Sequence, residues 1–345
     1  MRNNLHFVWK RNNKIFKKVN KKKKPRRKKN RKPVRKPYPS QYLPITYLTE
    51  TTNLNSKSIA LLIGICYFKN NYTSQQLYGC INDVLEVKKL LKQRGYVEEN
   101  IMVMTDGRET DSNGFLYPKK ENIKKCLSHL YNGEIIDKNG NIIYKTSNIN
   151  GVFYYSGHGA NVLINSPIEL DTQYNQMDFI IPCDYNYKYI NSLISDIEVK
   201  QIIMENANHP YMISKFFDSC VNQTMCNLAY GYYSTLNEQN NYPYQVTDNH
   251  ITRYTNLETI SPLCQVVGLS GSTDKQNSLD INGIKPQGAF TKAFLSQFQD
   301  NPNKIFCWYD LLIRIRNWLK NNKYPQISQL SSANLTDMTK LYMNF

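Results

Sequence analysis

Short apolar runs alternate with amphipathic segments from residue 57 to the end of the chain. Continuous apolar runs are typical of buried strands, whereas apolar residues at helical spacing, as in Val84, Val87 and Leu91, indicate helices. The alternation predicts an α/β fold with a mostly parallel sheet and helices on both faces. The predicted strands cover residues 58–65, 101–104, 151–155, 179–181, 211–217, 265–269 and 326–330. The predicted helices cover residues 83–94, 119–130, 196–205, 287–298 and 305–321.

Three connecting segments have their own sequence character. Asp137–Asn141 has the composition of a tight turn between two short apolar runs. Residues 161–176 are polar and predict a loop, and residues 231–256 are rich in Asn, Tyr and Gln and predict an exposed linker.

Two of the predicted strands end in a reactive side chain. Gly151–Gly159 ends in Ser-Gly-His-Gly and so carries His158, and Phe216–Cys220 ends in a thiol. Because the carboxyl ends of parallel strands share one edge of a sheet, we expect His158 and Cys220 to meet there. A cysteine attacks as its thiolate and needs a base nearby, which an imidazole provides. A single His or Cys is more often structural, so the prediction depends on both strand ends together.

Glycines flank the histidine on both sides. Gly157 and Gly159 allow close approach of the backbone to a substrate and leave an N–H free to bind a substrate oxygen. We therefore predict an oxyanion hole formed by the backbone N–H groups of Gly159 and Cys220.

Two carboxylates are expected at the same edge of the sheet. Asp83 follows the first predicted strand and opens the first helix, and Asp218 precedes Cys220 by two residues. The alternative for Asp83 is an ordinary helix cap, which is the commoner role of an Asp at that position. Two carboxylates beside a nucleophile favour a cationic side chain, so the pair predicts Lys or Arg next to the scissile bond.

The net charge of +17 is concentrated at the beginning of the chain. Residues 1–40 carry 18 Lys and Arg and no Asp or Glu, so the other 305 residues hold 26 basic and 27 acidic side chains. A segment so poor in apolar residues is expected to be disordered. We predict that residues 1–50 form a disordered basic tail or a removable pro-segment. Several roles for this tail remain open. It could contact nucleic acid, the import machinery or an anionic membrane, it could be an organelle transit segment, or it could simply be a solvated tail.

The eight cysteines do not suggest a metal or disulfide framework. They contain no Cys-x-x-Cys pair, so a zinc knuckle or a thioredoxin-type site is not expected. No secretory hydrophobic segment is visible, and Ile59–Phe68, the longest apolar run, has about half the length of a membrane span. We expect free thiols in a reducing compartment, and hence a cytoplasmic or nuclear protein.

The chain resembles the metacaspases, caspase-fold cysteine peptidases of plants, fungi and protists, in four blocks that occur in the family's order: Ser58–Ile65, Gly79–Asp83, Tyr155–Gly159 and Asp218–Cys220. Two later blocks, Val266–Gln276 and Gly288–Phe294, are similar to the beginning of the family's smaller C-terminal part. The resemblance implies a caspase-like three-layer sandwich. It divides the chain into a large catalytic part over residues 57–235, a linker over 236–260, and a small part over 261–345 that completes the same sheet.

The resemblance also implies roles for individual residues. His158 corresponds to the general base and Cys220 to the nucleophile, while Asp83, Ser156 and Asp218 correspond to the lining of the pocket beside the scissile bond. The implied activity is cleavage of proteins and peptides after Arg or Lys through an acyl-enzyme on Cys220. A monomer is expected.

Two departures from the family's pattern bear on activity. The family usually has His-Ser-Gly after the catalytic cysteine, and Val221–Thr224 stands here instead. Many metacaspases bind calcium through acidic residues, and the corresponding positions hold Asp178, Asp196 and Asn227. These residues can supply some oxygen ligands for Ca²⁺, and a weakened or absent site is the alternative. The second hypothesis for the whole protein is a caspase-like scaffold with weak or no catalytic activity.

Overall fold

The computed structural model describes residues 58–69, 75–146, 149–163, 176–186, 188–206, 211–219, 228, 230–232, 251–253, 264–271, 280–281, 285–333, 338, 341 and 343. The predicted basic tail over residues 1–50 lies outside these residues, and so does Cys220.

The described residues form five α-helices and fifteen strands. The helices are α1 Cys80–Gln93, α2 Lys120–Asn132, α3 Asp196–Asn206, α4 Ala289–Ser296 and α5 Trp308–Asn321. The strands are β1 Ser58–Gly64, β2 Ile101–Thr105, β3 Glu134–Ile136, β4 Ile142–Lys145, β5 Ile149–Ser156, β6 Gly159–Leu163, β7 Gln176–Ile180, β8 Ile194–Ser195, β9 Tyr211–Asp218, β10 Tyr230–Tyr232, β11 Ile251–Arg253, β12 Cys264–Ser270, β13 Asp280–Ile281, β14 Gln287–Gly288 and β15 Gln329–Ser332.

A central sheet of eight strands has the order β11-β10-β15-β12-β9-β5-β1-β2. The five strands from β12 to β2 are parallel, and β15, β10 and β11 continue the sheet in antiparallel pairings. The register places Gly64, Ser156 and Asp218 side by side at the carboxyl edge of the parallel part. The predicted mostly parallel sheet is confirmed.

Apolar side chains cover both faces of this sheet. On β1, Ile59, Leu61 and Ile63 pack into one cluster while Ala60 and Leu62 pack into the other. The first cluster contains residues of α2 and α3, and the second contains residues of α1, α4 and α5. A strand buried on both faces has no polar side, which explains its continuous apolar sequence. The predicted layer of helices on each face is confirmed.

Two segments that the sequence predicted to lack regular structure contain strands. β6 extends into the predicted polar loop over 161–176 and pairs with β7 and β8 in a separate three-stranded sheet. β10 and β11 lie in the stretch predicted to be a linker and pair at the edge of the central sheet. These strands are short and have no clear apolar period, and hydrogen bonds to their partner strands stabilise them. The boundaries of the large and small parts stay predictions.

The tight turn and the strand character of the longest apolar run are confirmed. Asp137 accepts hydrogen bonds from the backbone N–H groups of Asn139 and Asn141 and closes the hairpin of β3 and β4. The run at Ile59–Phe68 forms the buried strand β1 and the turn after it. Within the described part of the chain, no helix has the length and apolar content that a membrane span requires.

Gly64 lies where α1 packs against the end of β1. A Cβ atom at this position would lie 2.6 Å from the carbonyl oxygen of Cys80 and 2.8 Å from Cγ2 of Val84. Because the nearest atom belongs to the backbone and cannot rotate away, we expect Gly64→Ala to lower the free energy of unfolding by about 1–3 kcal/mol in urea denaturation. Gly268→Ala in β12 is the matched control, since the nearest atom there is the Ser331 hydroxyl at 3.2 Å. Equal losses in the two variants would contradict this packing.

Candidate active site

The site is built at the carboxyl edge of the parallel strands. Ser156 at the end of β5 is the register partner of Asp218 at the end of β9. Beyond them, the N–H of Gly157 donates to the carbonyl oxygen of Asp218 over 3.4 Å, so the two chains are still in contact after the strands end. His158 follows Ser156 by two residues, and Cys220 follows Asp218 by two residues.

Asp83 lies in the first turn of α1 and does not cap that helix. The N-cap is Gly79, with no side-chain cap hydrogen bond, so the helix-cap alternative for Asp83 is wrong. The Asp83 carboxylate is fully buried and accepts the hydroxyl proton of Ser156 at 2.9 Å. It also accepts the backbone N–H of Gly288 at 3.0 Å. The helix begins at Cys80, one turn before the predicted residue, which turns Asp83 towards the end of β5.

Asp218 is bound to the beginning of α4. Its Oδ2 accepts the backbone N–H of Thr291 at 2.8 Å and the Thr291 hydroxyl proton at 2.6 Å. The Tyr154 hydroxyl lies 2.5 Å from Thr291 Oγ1, and since the Thr291 proton goes to Asp218, Tyr154 donates to Thr291. Burial raises the pKa of Tyr154 well above its usual value, and the charges of Asp83 and Asp218 raise it further. Tyr154 therefore stays protonated and acts as a donor.

The beginning of α4 thus joins both carboxylates. Gly288 is the N-cap of α4, and its N–H binds Asp83 while the third residue of the helix binds Asp218. The N-terminus of a helix carries a partial positive charge that stabilises neighbouring carboxylates in their ionised form. A Cβ atom at Gly288 would lie 2.0 Å from Asp218 Oδ2, so only glycine permits this approach.

His158 is half-buried, and its ring is held in one tautomer. Nε2 lies 2.7 Å from the carbonyl oxygen of Gln75. A carbonyl oxygen only accepts, so Nε2 carries the proton and Nδ1 is the basic nitrogen of the neutral ring. Burial lowers the pKa of His158 below its usual value, and the hydrogen bond to Gln75 opposes this shift only in part. The imidazole is therefore neutral at neutral pH, as a general base must be.

Gly159 begins β6 opposite Ile180 of β7. The N–H of Ile181 donates to the carbonyl oxygen of His158 at 3.2 Å, which makes Gly159 and Ile180 a non-hydrogen-bonded pair of the ladder. In such a pair the N–H points away from the partner strand, so the Gly159 N–H is directed away from β7. This orientation is compatible with the predicted oxyanion role.

Asp178 and Asp196 are two buried carboxylates at the three-stranded sheet. Asp178 lies in β7 and Asp196 begins α3 directly after β8. Asn161 of β6 donates its side-chain N–H to Asp178 at 2.7 Å. Burial and then the charge of Asp178 raise the pKa of Asp196 to about 7. The described residues contain no group of three or more His, Cys, Asp or Glu that could hold a metal ion, and Asn227 lies outside them.

Comparison with known proteins identifies the family. The model of the caspase domain family matches residues 57–340. Metacaspase-1 of Mycosarcoma maydis is 30% identical over 326 residues, covering 85% of this chain and 75% of that protein. This chain belongs to the metacaspases. Metacaspase-1 of Schizosaccharomyces pombe is also 30% identical over 326 residues, covering 84% of this chain and 70% of that protein.

Among solved structures, a crystal structure of a Geobacter sulfurreducens protein has a TM-score of 0.50 and 16% identity, covering 81% of this chain and 95% of its own. That likeness concerns the fold alone. The family match confirms the caspase-like α/β sandwich and makes this metacaspase a member of a family of cysteine peptidases.

The structure brings together only part of the predicted site of this metacaspase. The Asp83 carboxylate binds the Ser156 hydroxyl, Asp218 is the register partner of Ser156, and His158 follows Ser156 by two residues. No role was predicted for Gln75, whose carbonyl fixes the histidine tautomer, or for Gly288 and Thr291, which bind the two carboxylates. A polar Thr291 in the otherwise apolar beginning of α4 was the available signal for the last of these.

Proposed function

We propose that this metacaspase is an endopeptidase that cleaves after Arg or Lys, with His158 as general base and Cys220 as nucleophile. The observation that carries the proposal is the pairing of Ser156 with Asp218. The strands that lead to His158 and Cys220 are therefore neighbours. His158 follows Ser156 by two residues, and Cys220 follows Asp218 by two residues.

The reaction begins when Nδ1 of His158 accepts the proton of the Cys220 thiol. The thiolate attacks the carbonyl carbon of the scissile bond, and the backbone N–H groups of Gly159 and Cys220 stabilise the oxyanion. His158 then gives its proton to the leaving amine as the carbon–nitrogen bond breaks and the thioester forms. Water, deprotonated by the same imidazole, attacks the thioester and releases the acid and the free thiol.

The preference for Arg or Lys follows from the charge of Asp83 and Asp218. Both side chains are buried, with exposed fractions of 0% and 5%, and backbone N–H groups of α4 stabilise their charges. A guanidinium or ammonium group bound beside them gains charge pairing, whereas an acidic side chain is repelled. The same pair therefore selects for basic residues and against Asp.

A peptide ketone warhead that ends in Arg tests this proposal. With a chloromethyl ketone as the warhead, we expect a single covalent adduct on Cys220 in the wild type, identified by mass spectrometry of the digested protein. The reactive thiolate displaces chloride from the reagent and forms a carbon–sulfur bond. A matched warhead ending in Asp should leave the protein unlabelled, and Cys220→Ala should remove the adduct. A wild type that no warhead labels would favour the scaffold hypothesis.

We further propose that Asp178 and Asp196 bind Ca²⁺. The pair fits a divalent cation, because the charge of Asp178 raises the pKa of the buried Asp196, and a positive charge between the two carboxylates would relieve this repulsion. Bound Ca²⁺ would neutralise this pair. β7 continues from Asp178 to its end at Ile180, and the N–H of the next residue, Ile181, binds the carbonyl oxygen of His158. The placement of β7 therefore also determines the backbone position of the histidine.

Asp196→Asn tests the calcium proposal. The raised pKa of Asp196 means that its stabilising contribution is complete below the unfolded value of about 4 and is lost as pH rises through about 7. The variant should therefore have a higher Tm than the wild type at pH 8 without calcium, and no advantage at pH 4. Millimolar calcium should raise the Tm of the wild type and not of the variant, while Glu121→Gln on the surface of α2 behaves like the wild type. The same calcium shift in all three proteins would contradict the site.

We also propose a cytoplasmic or nuclear protein whose basic segment contacts nucleic acid, the import machinery or an anionic membrane. The supporting observation is the concentration of 18 basic and no acidic residues in positions 1–40. Binding through such a segment is expected to be insensitive to nucleotide sequence and strongly salt-dependent, and deletion of residues 1–40 should abolish it.

A further inference from the structure

Tyr67 has an unusual backbone conformation beside the active site. It follows β1, is 1% exposed, and has a φ of 61°. A bulky residue in this left-handed region carries a strain of about 1–2 kcal/mol, and such strain is concentrated at functional sites. In the described residues, the other non-glycine residue with positive φ is Lys323, which follows the end of α5, where this conformation is common.

Asp106 holds the strained turn on both sides. It follows β2, the neighbour of β1, and is almost fully buried. Its Oδ1 accepts the backbone N–H of Cys66 at 2.7 Å, and its Oδ2 accepts that of Phe68 at 3.2 Å. One carboxylate thus bridges the residues before and after Tyr67, and it offsets the strain with hydrogen bonds to a charged acceptor.

Tyr67 in turn holds the histidine in two ways. Its hydroxyl accepts the backbone N–H of His158 at 2.8 Å and donates to the carbonyl oxygen of Ile181 at 2.8 Å. Its ring stacks on the imidazole, with ring centroids 4.7 Å apart and an angle of 29° between the planes. The hydroxyl fixes the backbone of His158, and the ring fixes the plane of the imidazole.

We infer that Tyr67, held by Asp106, is a positioning residue that aligns the His158 imidazole for proton transfer. The inference rests on the proposed role of His158 as the base. An imidazole that can rotate spends less time with Nδ1 directed at the thiol, and a misalignment of this kind lowers the rate of the chemical step. Tyr67 contacts His158, Ile181, Tyr155 and Tyr185. The beginning of α4 binds Asp83 and Asp218 instead, so substrate affinity should not depend on Tyr67.

Tyr67→Phe is the test variant, because it keeps the stacked ring and removes the hydroxyl with its hydrogen bonds to His158, Ile181 and Tyr155. Tyr96→Phe is the matched control, a buried tyrosine beside Ser58 at the amino end of β1. For a peptide ending in Arg we expect Tyr67→Phe to lower kcat about 10-fold or more, with KM within twofold of the wild type. The rate of iodoacetamide alkylation of Cys220 should fall with kcat, and Tyr96→Phe should match the wild type in both.

Nitrogen-15 spectra of the imidazoles give a readout that does not require turnover. In the wild type we expect His158 to show the Nε2–H tautomer alone, since the Tyr67 hydroxyl holds the His158 backbone where Nε2 reaches the Gln75 carbonyl. In Tyr67→Phe the backbone is released from this position, so we expect a mixture of tautomers or exchange broadening, assigned with His158→Ala. Asp106→Asn keeps one hydrogen-bond acceptor and loses the negative charge. Its imidazole spectra and kcat should therefore lie between those of the wild type and those of Tyr67→Phe. This second variant keeps the test decisive if Tyr67→Phe folds poorly by circular dichroism.

The inference is overturned if Tyr67→Phe and Asp106→Asn keep the wild-type kcat and the single His158 tautomer. It is also overturned if they lose only Tm, with the tautomer and the alkylation rate unchanged at a temperature where they are folded, because that outcome assigns a structural role. A wild type without turnover or alkylation of Cys220 would instead contradict the proposed function, and the tautomer comparison would still decide the role of Tyr67.

Discussion

His158→Ala is expected to lower kcat/KM for a peptide ending in Arg by about 1,000-fold or more. The substitution removes the group that takes the thiol proton and returns it to the leaving amine, and one positioned acid–base group contributes about 100- to 10,000-fold. His129→Gln, on the outer side of α2 beside Glu134, is the matched control and should keep wild-type activity. Retention of more than a tenth of the wild-type kcat/KM by His158→Ala would show that another group acts as the base.

The pH dependence of the wild type follows from the same residue. Burial lowers the pKa of His158, so the imidazole stays neutral until the pH falls below about 6.5, and the acid limb of kcat/KM should lie below that value. The folded protein disfavours the protonated ring, so this group's contribution to stability is present above the unfolded pKa and is lost as the pH falls through the folded one. An acid limb near pH 8 would contradict a buried neutral histidine.

Gly288→Ala is the second change with a large expected effect. The added Cβ would lie 2.0 Å from Asp218 Oδ2, so either the carboxylate or the beginning of α4 must move. Asp218 would then lose its hydrogen bonds to Thr291, and the pair of charges that selects a basic side chain would separate. We expect kcat/KM for the Arg peptide to fall about 100-fold, equivalent to roughly 3 kcal/mol, mainly through KM.

A double-mutant cycle isolates this effect. In an Asp218→Asn background, Gly288→Ala should lower kcat/KM for the Arg peptide by a much smaller factor than in the wild type. The side chain that the added methyl group displaces has already lost its charge in that background. Gly268→Ala in β12 is the control for a glycine substitution, since the nearest atom to the added Cβ there is the Ser331 hydroxyl oxygen at 3.2 Å, which a side-chain rotation can move. Additive losses from Gly288→Ala and Asp218→Asn would show that the two positions do not act on the same pocket.

The sequence was sufficient to predict the sheet edge. β1 is a continuous apolar run, β5 and β9 are rich in apolar residues, and the polar or reactive residues that end or follow β5 and β9 show where each strand leaves the core. This pattern placed His158 and Asp218 at one edge before any register was known, and the resemblance to the family added Ser156. The placement of Asp83 at that edge was also correct, although α1 begins one turn earlier than predicted and Asp83 is not its cap.

The contacts that hold these residues could not be predicted from local sequence. The bond from Gly288 to Asp83 joins positions 205 residues apart, and its geometry depends on where α4 begins against the sheet. The left-handed turn at Tyr67 depends on the Asp106 carboxylate, which lies 40 residues after Cys66. The residues next to Tyr67 in the sequence do not favour a positive φ there. Short strands such as β6 and β11 form because a partner supplies their hydrogen bonds, and this too is a property of the whole fold.

The most direct test of the account is the hydrolysis of a fluorogenic peptide ending in Arg beside one ending in Asp. Wild type and Cys220→Ala would be compared with and without millimolar calcium. We expect the wild type to hydrolyse the Arg peptide and not the Asp peptide, and Cys220→Ala to have no activity. If Asp178 and Asp196 bind calcium, the rate of the wild type should be higher when calcium is present. Absence of turnover in every condition, or equal cleavage of the Asp peptide, would contradict the assignment of an Arg- or Lys-specific cysteine peptidase.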